Sequence, residues 1–236
     1  MISVSVKNIR KNYGETIALH DISFEVGKGE LFGFIGSDGA GKTTLFRILT
    51  TLILPDKGSA TLEGYDVIKD YKQIRNILGY MPGKFSLYQD LSVEENLNFF
   101  ATIFGTTLHE NYDLIKEIYG QIEPFKTRKA GKLSGGMKQK LALSCALIHK
   151  PVVLILDEPT NHLDLESITA LNRGLDKFHG TILFSSHDHE LVQTVANRII
   201  EVTPRGYIDR ISTTFDEYLA NEQIKEQRHE LYKLAH

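Results

Sequence analysis

Residues 35–45, IGSDGAGKTTL, carry the most specific chemical pattern of the sequence. Gly36 and Gly41 enclose four residues, and Lys42 and Thr43 follow directly. Glycines let consecutive backbone amides converge on an anion, and a helix that begins near Lys42 directs its positive end at the same place. Lys42 adds a full charge, and the Thr43 hydroxyl is of the kind that ligates Mg²⁺ between two phosphates. The pattern predicts a polyphosphate-binding loop, although glycines also serve tight turns and close packing.

A second group of chemically active residues follows the apolar run VVLIL at 152–156. The run predicts a buried parallel strand, which delivers the residues at its carboxyl end into the ligand crevice of an α/β sheet. Asp157 and Glu158 stand at that end. Asp157 would hold Mg²⁺ directly or through water, and Glu158 would polarise a water molecule near the terminal phosphate. The alternative is an acidic pair at the start of a helix.

The elements that must position these residues are predicted from the periodicity of apolar residues. Strands are predicted near 2–9, 22–26, 31–35, 59–62, 78–81, 152–156, 181–185, 198–202 and 206–211. Helices are predicted near 42–50, 71–76, 93–104, 112–121, 135–148, 165–178, 190–196 and 215–234. These patterns predict an α/β fold with a parallel-sheet core at 1–86 and 150–236, β-rich at its N-terminus, and an inserted helical subdomain at 87–149.

Composition and charge narrow the class of protein. The chain has 236 residues, 42% hydrophobic and 24% charged, which is ordinary for a soluble globular protein. It shows no apolar signal core at the N-terminus, so we expect a cytoplasmic location. A net charge of −3 argues against attraction of nucleic acid to the whole surface, although 126–140 is a basic run. Cys145, the single cysteine, is expected to pack in the core.

The segment LSGGMKQKLALSCALIHKPVVLILDEPTNHLD, 133–164, together with the glycine-rich loop resembles the ABC ATPases, and the resemblance covers essentially the whole chain. It implies a P-loop NTPase (RecA-like) core with an N-terminal antiparallel β-subdomain, and ATP and Mg²⁺ as cofactors. In that family the LSGG signature, here residues 133–136 with Ser134 as a helix N-cap, closes over the γ-phosphate bound by another subunit. The resemblance therefore implies a head-to-tail dimer with a second copy or a homologous ATPase subunit.

The family's functional residues map onto this sequence position by position. Tyr13 matches the aromatic residue that stacks on adenine, and the alternative is that it packs in a turn. His187 matches the switch histidine after the last core strand, although histidines at strand ends are often surface residues. Asp164 matches the loop that carries signals across the dimer. The expected catalytic residues are Glu158, His187 and Lys42, and the expected metal ligands are Thr43 and Asp157. The expected nucleotide contacts are Tyr13, Gly36, Ser37, Asp38, Gly39, Ala40, Gly41, Lys42, Thr43, Thr44, Ser134, Gly135, Gly136, Met137 and Asp164.

One position departs from the family pattern. The family places a glutamine after a strand such as LGYMP, and this sequence has Gly83 there. The glutamine would help to complete the metal shell and sense the γ-phosphate. Gln89 is six residues further on and is expected to be a loop residue. We expect Mg²⁺ and ATP still to bind through Thr43 and Asp157, with hydrolysis or its coupling weakened.

The resemblance is of two kinds along the chain. The first two thirds, to about Leu156, are similar to ATP-binding subunits of bacterial multidrug-type ABC exporters, whereas the part from LDEPTNHLDLESI onward is similar to F-class ABC ATPases, which act on ribosomes. The leading prediction is an ATPase subunit on the inner face of the membrane that drives separate transmembrane permease subunits. The alternatives are an F-class fragment that binds RNA on the ribosome and a low-turnover ATP-binding clamp. The C-terminal tail is either the start of an F-class linker or an amphipathic helix with Leu219, Leu231 and Leu234 inward.

Overall fold

The computed structural model describes residues 1–160, 163, 165–203, 205–211 and 215–232. The strands in these ranges are β1 (Ile2–Tyr13), β2 (Thr16–Gly27), β3 (Leu31–Ile35), β4 (Lys57–Leu62), β5 (Tyr65–Asp66), β6 (Leu78–Met81), β7 (Val153–Asp157), β8 (Thr181–Ser185), β9 (Arg198–Thr203) and β10 (Gly206–Ile211). The α-helices are α1 (Lys42–Leu49), α2 (Tyr71–Ile77), α3 (Val93–Ile103), α4 (Tyr112–Tyr119), α5 (Gly135–Leu147), α6 (Leu165–Asp176), α7 (His189–Val195), α8 (Phe215–Ala220) and α9 (Glu222–Tyr232). None of the helices in the described ranges is both long and apolar enough to span a bilayer.

The chain forms two compact units. The first consists of Met1–Arg75 with Thr181–His236, and the second of Asn76–Gly180. The predicted α/β class is confirmed, because parallel strands, an antiparallel N-terminal sheet and a helical segment at 87–149 are all present. The functional domain boundaries expected from the sequence differ from these units and stay a prediction.

The first unit contains an antiparallel sheet in the order β2-β1-β4-β5. β1 and β2 are longer than predicted and pair from Ile2 with Gly27 to Tyr13 with Thr16. Bulges between Val6 and Lys11 interrupt the alternation of apolar and polar residues. The alternation that predicts a strand is therefore visible in only part of β1 and β2, although the two strands remain paired along their whole length.

The remaining strands of the first unit follow the order β10-β9-β3-β8, with β3 parallel to both β8 and β9. Phe32 and Phe34 of β3 form a buried aromatic cluster with Phe24 of β2 and Phe46 of α1. The rings of Phe34 and Phe46 cross edge to face at 5.1 Å between their centroids. Buried aromatic pairs add packing energy beyond the area they bury, so this cluster fixes the strand and the helix on either side of residues 36–41.

The second unit contains the parallel pair β6 and β7 and the helices α3 to α6. α3 begins with a capping box, in which the Ser92 hydroxyl accepts from the Glu95 amide and the Glu95 carboxylate accepts from the Ser92 amide. α5 is buried on almost every side from Leu141 to Leu147, as a core helix should be. Cys145 lies in this buried stretch, which confirms its predicted packing role.

The C-terminal helix differs from the prediction. The single helix expected over 215–234 is broken at Asn221, whose side chain accepts from the Ile224 amide and caps α9. Among the described side chains of α8 and α9, those of Tyr218 and Ile224 are fully buried, whereas Leu219 and Leu231 are half-buried. The predicted inward Leu234 lies outside the described residues. The prediction was wrong because it gave weight to the leucine spacing and none to the asparagine cap.

Candidate functional site

The glycine-rich loop of residues 36–41 joins β3 to α1 and passes close to two other strands. A Cβ atom on Gly36 would lie 2.1 Å from the carbonyl oxygen of Val202, and one on Gly41 would lie 2.2 Å from that of Ala18. Both glycines have a left-handed φ, +136° at Gly36 and +104° at Gly41. Sterics and backbone conformation therefore both require glycine at the two ends of the loop. Close packing accompanies the loop geometry that the sequence predicts and is not an alternative to it.

Lys42 is the first residue of α1, and only 7% of its surface is exposed. Its Nζ atom donates hydrogen bonds to the carbonyl oxygens of Gly36 at 2.7 Å and Ser37 at 3.1 Å. These contacts fold the lysine back along the loop that precedes it. The ammonium group is thereby held beside the loop, where it can act as a point charge toward phosphate oxygens.

The N-terminus of α1 is suited to an anion. The N-cap residue Gly41 makes no side-chain hydrogen bond, and the first turn contains no acidic residue. The first-turn amides of a helix lack intrahelical partners, and the helix dipole adds partial positive charge at the same end. Thr43 is exposed and Thr44 half-buried in this turn. The local geometry therefore supports the predicted phosphate-binding role of residues 36–44.

His187 follows β8 and lies against the glycine-rich loop. Its Nε2 atom is 3.1 Å from Oδ1 of Asp38. Ser186, directly before it, is buried, and its hydroxyl accepts from the Asp188 amide, which fixes the turn into α7. The structure thus brings together His187 and the loop, as the sequence predicts. The action of His187 on a terminal phosphate stays a prediction.

Tyr13 ends β1 at the turn into β2. Its surface is 48% exposed, and Lys11 Nζ lies 5.9 Å from the centre of its ring. Lys11 is held in turn by Asp56, with 2.8 Å between Nζ and Oδ1. The ring is accessible to a ligand, and the stacking role of Tyr13 stays a prediction.

Asp157 and Glu158 lie at the carboxyl end of β7 in the second unit. Asp157 is the last residue of the strand and is only 3% exposed. Glu158 follows with a left-handed φ of +53°. This conformation is uncommon for a residue with a side chain, and such residues cluster at functional sites. The backbone therefore turns between Asp157 and Glu158, and the two carboxylates differ in burial: Asp157 is buried and Glu158 is half-buried.

Gly83 lies beside Asp157 in the same unit. A Cβ atom on Gly83 would stand 3.7 Å from Oδ2 of Asp157. Gln89 is exposed, and its carbonyl oxygen accepts from the Gly131 amide at 2.9 Å. Gln89 is therefore a loop residue, as the sequence predicts, and the position next to the Asp157 carboxyl group belongs to Gly83.

In the LSGG signature, residues 133–136, the hydroxyl of Ser134 caps α5 by accepting from the Met137 amide at 3.3 Å. Ser134 and Gly135 are exposed, and Gly136 and Met137 are half-buried. The helix start is therefore open to a ligand or a second protein. Asp164, the remaining predicted nucleotide contact, lies outside the described residues.

Three of the six basic residues in the run at 126–140 make local side-chain contacts. Lys126 Nζ lies 3.3 Å from Oε1 of Glu94, and the Arg128 guanidinium lies 4.5 Å from the centre of the Phe125 ring. Lys138 Nζ lies 5.5 Å from the centre of another aromatic ring, that of Phe85. These contacts are compatible with a solvated helical surface, and the expectation that the run is not a nucleic-acid footprint stays a prediction.

A cluster that sequence reasoning missed surrounds Glu201 of β9. This residue is 1% exposed, and its carboxylate accepts from Tyr218, Tyr232 and Arg228 of the C-terminal helices. A cavity of about 580 Å³ borders the cluster and is also lined by Ser37 and His187. Two signals were available in the sequence: an acid within the apolar strand RIIEV, and an arginine and a tyrosine four residues apart on one helix.

Comparison with known proteins gives consistent matches. Residues 19–161 match the family model described as ABC transporter. The probable multidrug ABC transporter ATP-binding protein YbhF of Escherichia coli (strain K12) is 51% identical over 134 residues, which cover 56% of this chain but only 23% of that protein. The ABC transporter ATP-binding protein NatA of Bacillus subtilis (strain 168) is 34% identical over 205 residues, 82% of this chain and 83% of that one. A solved ATP-binding subunit of an ABC transporter matches 97% of this chain and 99% of its own, with a TM-score of 0.83 and 26% identity.

Proposed function

Because the chain belongs to the ABC transporter family, we propose that it binds and hydrolyses ATP as the ATP-binding subunit of a transporter. The observation that carries this proposal is the phosphate loop. Lys42 Nζ donates hydrogen bonds to the carbonyl oxygens of Gly36 and Ser37. Lys42 is also the first residue of α1, whose N-terminus has no side-chain cap. A lysine, loop amides and a helix N-terminus at one place form a site for polyphosphate.

Thr43 and Asp157 are the proposed ligands of Mg²⁺. A hydroxyl and a carboxylate are the hard oxygen donors that this ion prefers. The buried Asp157 carboxylate has no side chain over it at Gly83, so the chain's donor set is compatible with an ion that keeps several water ligands. When bound, the ion supplies charge neutralisation on the β- and γ-phosphates.

The chain's own residues divide the remaining chemistry. Glu158 orients the attacking water and accepts its proton, while His187 donates toward the terminal phosphate. Lys42 stabilises the negative charge on the transferred group. Tyr13 stacks on the adenine ring, and this contact discriminates weakly between bases because it uses only their faces.

We propose further that the active form is a head-to-tail dimer. The exposed helix start at Ser134 and Gly135 provides a hydroxyl and amides for the γ-phosphate held by a second copy or a homologous subunit. Asp164 would then lie at the seam between the subunits. In such a dimer the γ-phosphate joins the phosphate loop of one subunit to the Ser134 helix start of the other. Hydrolysis removes this phosphate, so each turnover is linked to opening of the dimer.

The proposed partners are transmembrane permease subunits, which would hold the chain on the inner, cytoplasmic face of the membrane. Two other functions remain as outcomes of the test. The F-class resemblance of the C-terminal third suggests ribosome binding, and Gly83 in place of glutamine suggests a clamp that binds ATP with little turnover.

The experiment compares steady-state phosphate release from MgATP by the wild-type chain and by Glu158→Gln. Removing a general base lowers turnover about 10²- to 10⁴-fold, so Glu158→Gln is expected to be nearly inactive and to elute as a dimer with MgATP. Glu117→Gln changes a half-buried acid of the same unit and should behave as the wild type.

The outcomes separate the three functions. Absence of ATP binding would refute the proposed function, and turnover that survives in Glu158→Gln would refute the role of Glu158 as the general base. Binding without wild-type turnover would favour the clamp. For an active chain, affinity capture from its own cells distinguishes permease subunits from ribosomes.

A further inference from the structure

Asp38 occupies a tight turn within the phosphate loop. The Ser37 carbonyl oxygen accepts from the Ala40 amide at 3.2 Å, so Asp38 and Gly39 are the two central residues of this turn. Gly39 has a φ of +79°, and a left-handed φ at the third residue is the mark of a type II turn. The Asp38 side chain is 98% exposed, so its carboxylate projects from the loop instead of packing into it.

His187 is brought to this turn by the register of two parallel strands. β8 pairs Ser185 with Phe34 of β3, so both strands end at the same edge of the sheet. The Ser186 amide continues the pairing, because it donates to the Phe34 carbonyl oxygen at 3.4 Å. His187 is the next residue, and it therefore emerges beside the loop that leaves β3.

The two side chains meet through one ring nitrogen. Nε2 of His187 lies 3.1 Å from Oδ1 of Asp38, and both residues belong to the first unit. A carboxylate only accepts, so the hydrogen of this contact is on Nε2. The acid next to His187 in sequence, Asp188, is used differently: its Oδ1 accepts from the Leu191 amide at 3.2 Å and caps α7. The phosphate loop itself therefore supplies a carboxylate for this ring nitrogen.

The His187 ring has room to exchange this acceptor for another. Its side chain is 51% exposed, and the residue lines a cavity of about 580 Å³ together with Gly36 and Ser37. The ring is therefore not locked by packing. Nε2 carries a single hydrogen, so it donates to one main acceptor at a time. The Asp38 carboxylate and a terminal phosphate on the loop are therefore competing acceptors for the same donor.

We propose that Asp38 is a specificity-determining residue, which competes with the terminal phosphate of a nucleoside triphosphate for Nε2 of His187. This role rests on the proposed binding of ATP. A triphosphate must take the histidine from Asp38, whereas a diphosphate lacks the group that would do so. Specificity is a difference of affinities, so Asp38 narrows the preference of the site for triphosphate over diphosphate. After hydrolysis and loss of the γ-phosphate, Asp38 accepts from the histidine again.

Asp38→Ala tests this role in calorimetry with two ligands, MgADP and the magnesium complex of AMPPNP, a triphosphate analogue with nitrogen at the β–γ bridge. Exposed ion pairs are weak, so we expect the Kd of MgAMPPNP to fall about 2- to 5-fold and that of MgADP to stay within about 1.5-fold. The KM for ATP should fall by a similar factor, with kcat within about twofold. Asp38→Asn keeps the Oδ1 acceptor without the charge, so its Kd for MgAMPPNP should lie between those of Asp38→Ala and the wild type.

A double-mutant cycle with His187→Ala identifies the route. If Asp38 acts on the histidine, Asp38→Ala should not change the affinity for MgAMPPNP in a chain that already carries His187→Ala. A gain that persists there would show direct charge repulsion between Asp38 and the nucleotide, and it would overturn the proposal. An unchanged or higher Kd for MgAMPPNP in Asp38→Ala would also overturn it, as would an equal gain for MgADP.

Glu15→Gln is the matched control, because it removes an exposed acid of the same unit. It should bind both ligands as the wild type does, and a gain for MgAMPPNP equal to that of Asp38→Ala would count against the proposal. Failure of the wild type to bind either ligand would instead refute the proposed function itself.

Discussion

A Cβ atom on Gly83 would stand 3.3 Å from the carbonyl oxygen of Asp157 and 3.7 Å from its carboxyl carbon. The backbone φ of Gly83 is not in the left-handed region, so a residue with a side chain can adopt it. The space beside the buried carboxylate is therefore narrow but open to a side chain. The glycine leaves this carboxylate without the amide that the family pattern supplies.

Gly83→Gln is expected to raise the steady-state rate of ATP hydrolysis about threefold or more. The added amide oxygen would contribute roughly one hydrogen bond, about 1 kcal/mol, to the metal shell or the water. Gly83→Ala is the control, because it introduces the same Cβ contact without the amide, and its rate should not rise. A Gly83→Gln rate equal to or below that of the wild type would contradict the assignment.

Lys42→Ala is expected to weaken MgATP binding at least about tenfold. Hydrogen bonds to charged groups contribute about 1.5–3 kcal/mol, and this lysine is the only side-chain charge in the stretch from Gly39 to Leu45. Isothermal titration calorimetry measures the loss. Lys177→Ala, which removes an exposed lysine paired with Glu117 at 2.7 Å, should bind as the wild type does. Equal affinity in Lys42→Ala and the wild type would refute the phosphate-loop assignment.

Gly36→Ala and Gly39→Ala should differ sharply in stability, although both lie in the phosphate loop. At Gly36 the new Cβ atom would lie 2.1 Å from the Val202 carbonyl oxygen. At Gly39 the new Cβ atom would have no neighbouring heavy atom within 4 Å. Gly39 has a left-handed φ of +79°, so its substitution costs about 1 kcal/mol of backbone strain alone. Urea unfolding should show about this loss for Gly39→Ala and a loss of several kcal/mol for Gly36→Ala. Similar losses for the two variants would show that the backbone moves away at Gly36.

His149 is expected to make the folded chain less stable in mild acid. Burial lowers its pKa below the ordinary value of 6.5, and the hydrogen bond to the Leu78 carbonyl only partly opposes this. Below pH 6.5 the unfolded chain binds a proton that the folded chain refuses, so the free energy of unfolding falls as the pH decreases toward the folded-state pKa. At lower pH both states are protonated and this contribution stops changing.

His149→Gln should therefore show a smaller fall in unfolding free energy between pH 7.5 and 5.5 than the wild type. Its stability at pH 7.5 should be lower by about 1 kcal/mol, because the His149 ring stacks on Phe104 at 3.8 Å. His109→Gln alters an exposed histidine and serves as the control. If His149→Gln and the wild type lose the same stability in acid, burial of His149 is not the cause.

The sequence by itself determined the local backbone features of the site, namely its phosphate loop and its helix starts. The glycine spacing and Lys42 predicted the loop between β3 and α1, and the Ser134 cap predicted the start of α5. Such features depend on residues a few positions apart, whose backbone conformation is limited by local sterics and by hydrogen bonds at helix ends. The α/β class followed from the same local signals, because the period of apolar residues records which face of each element is buried.

Only the tertiary structure decided which distant residues meet. The sequence does not state that Val202 crowds Gly36, or that Glu201 accepts hydrogen bonds from both Tyr218 and Tyr232. These contacts join segments that are far apart along the chain, and their geometry depends on the packing of whole strands and helices. A buried acid is stable only where several donors converge on it, and that convergence is a property of the folded chain.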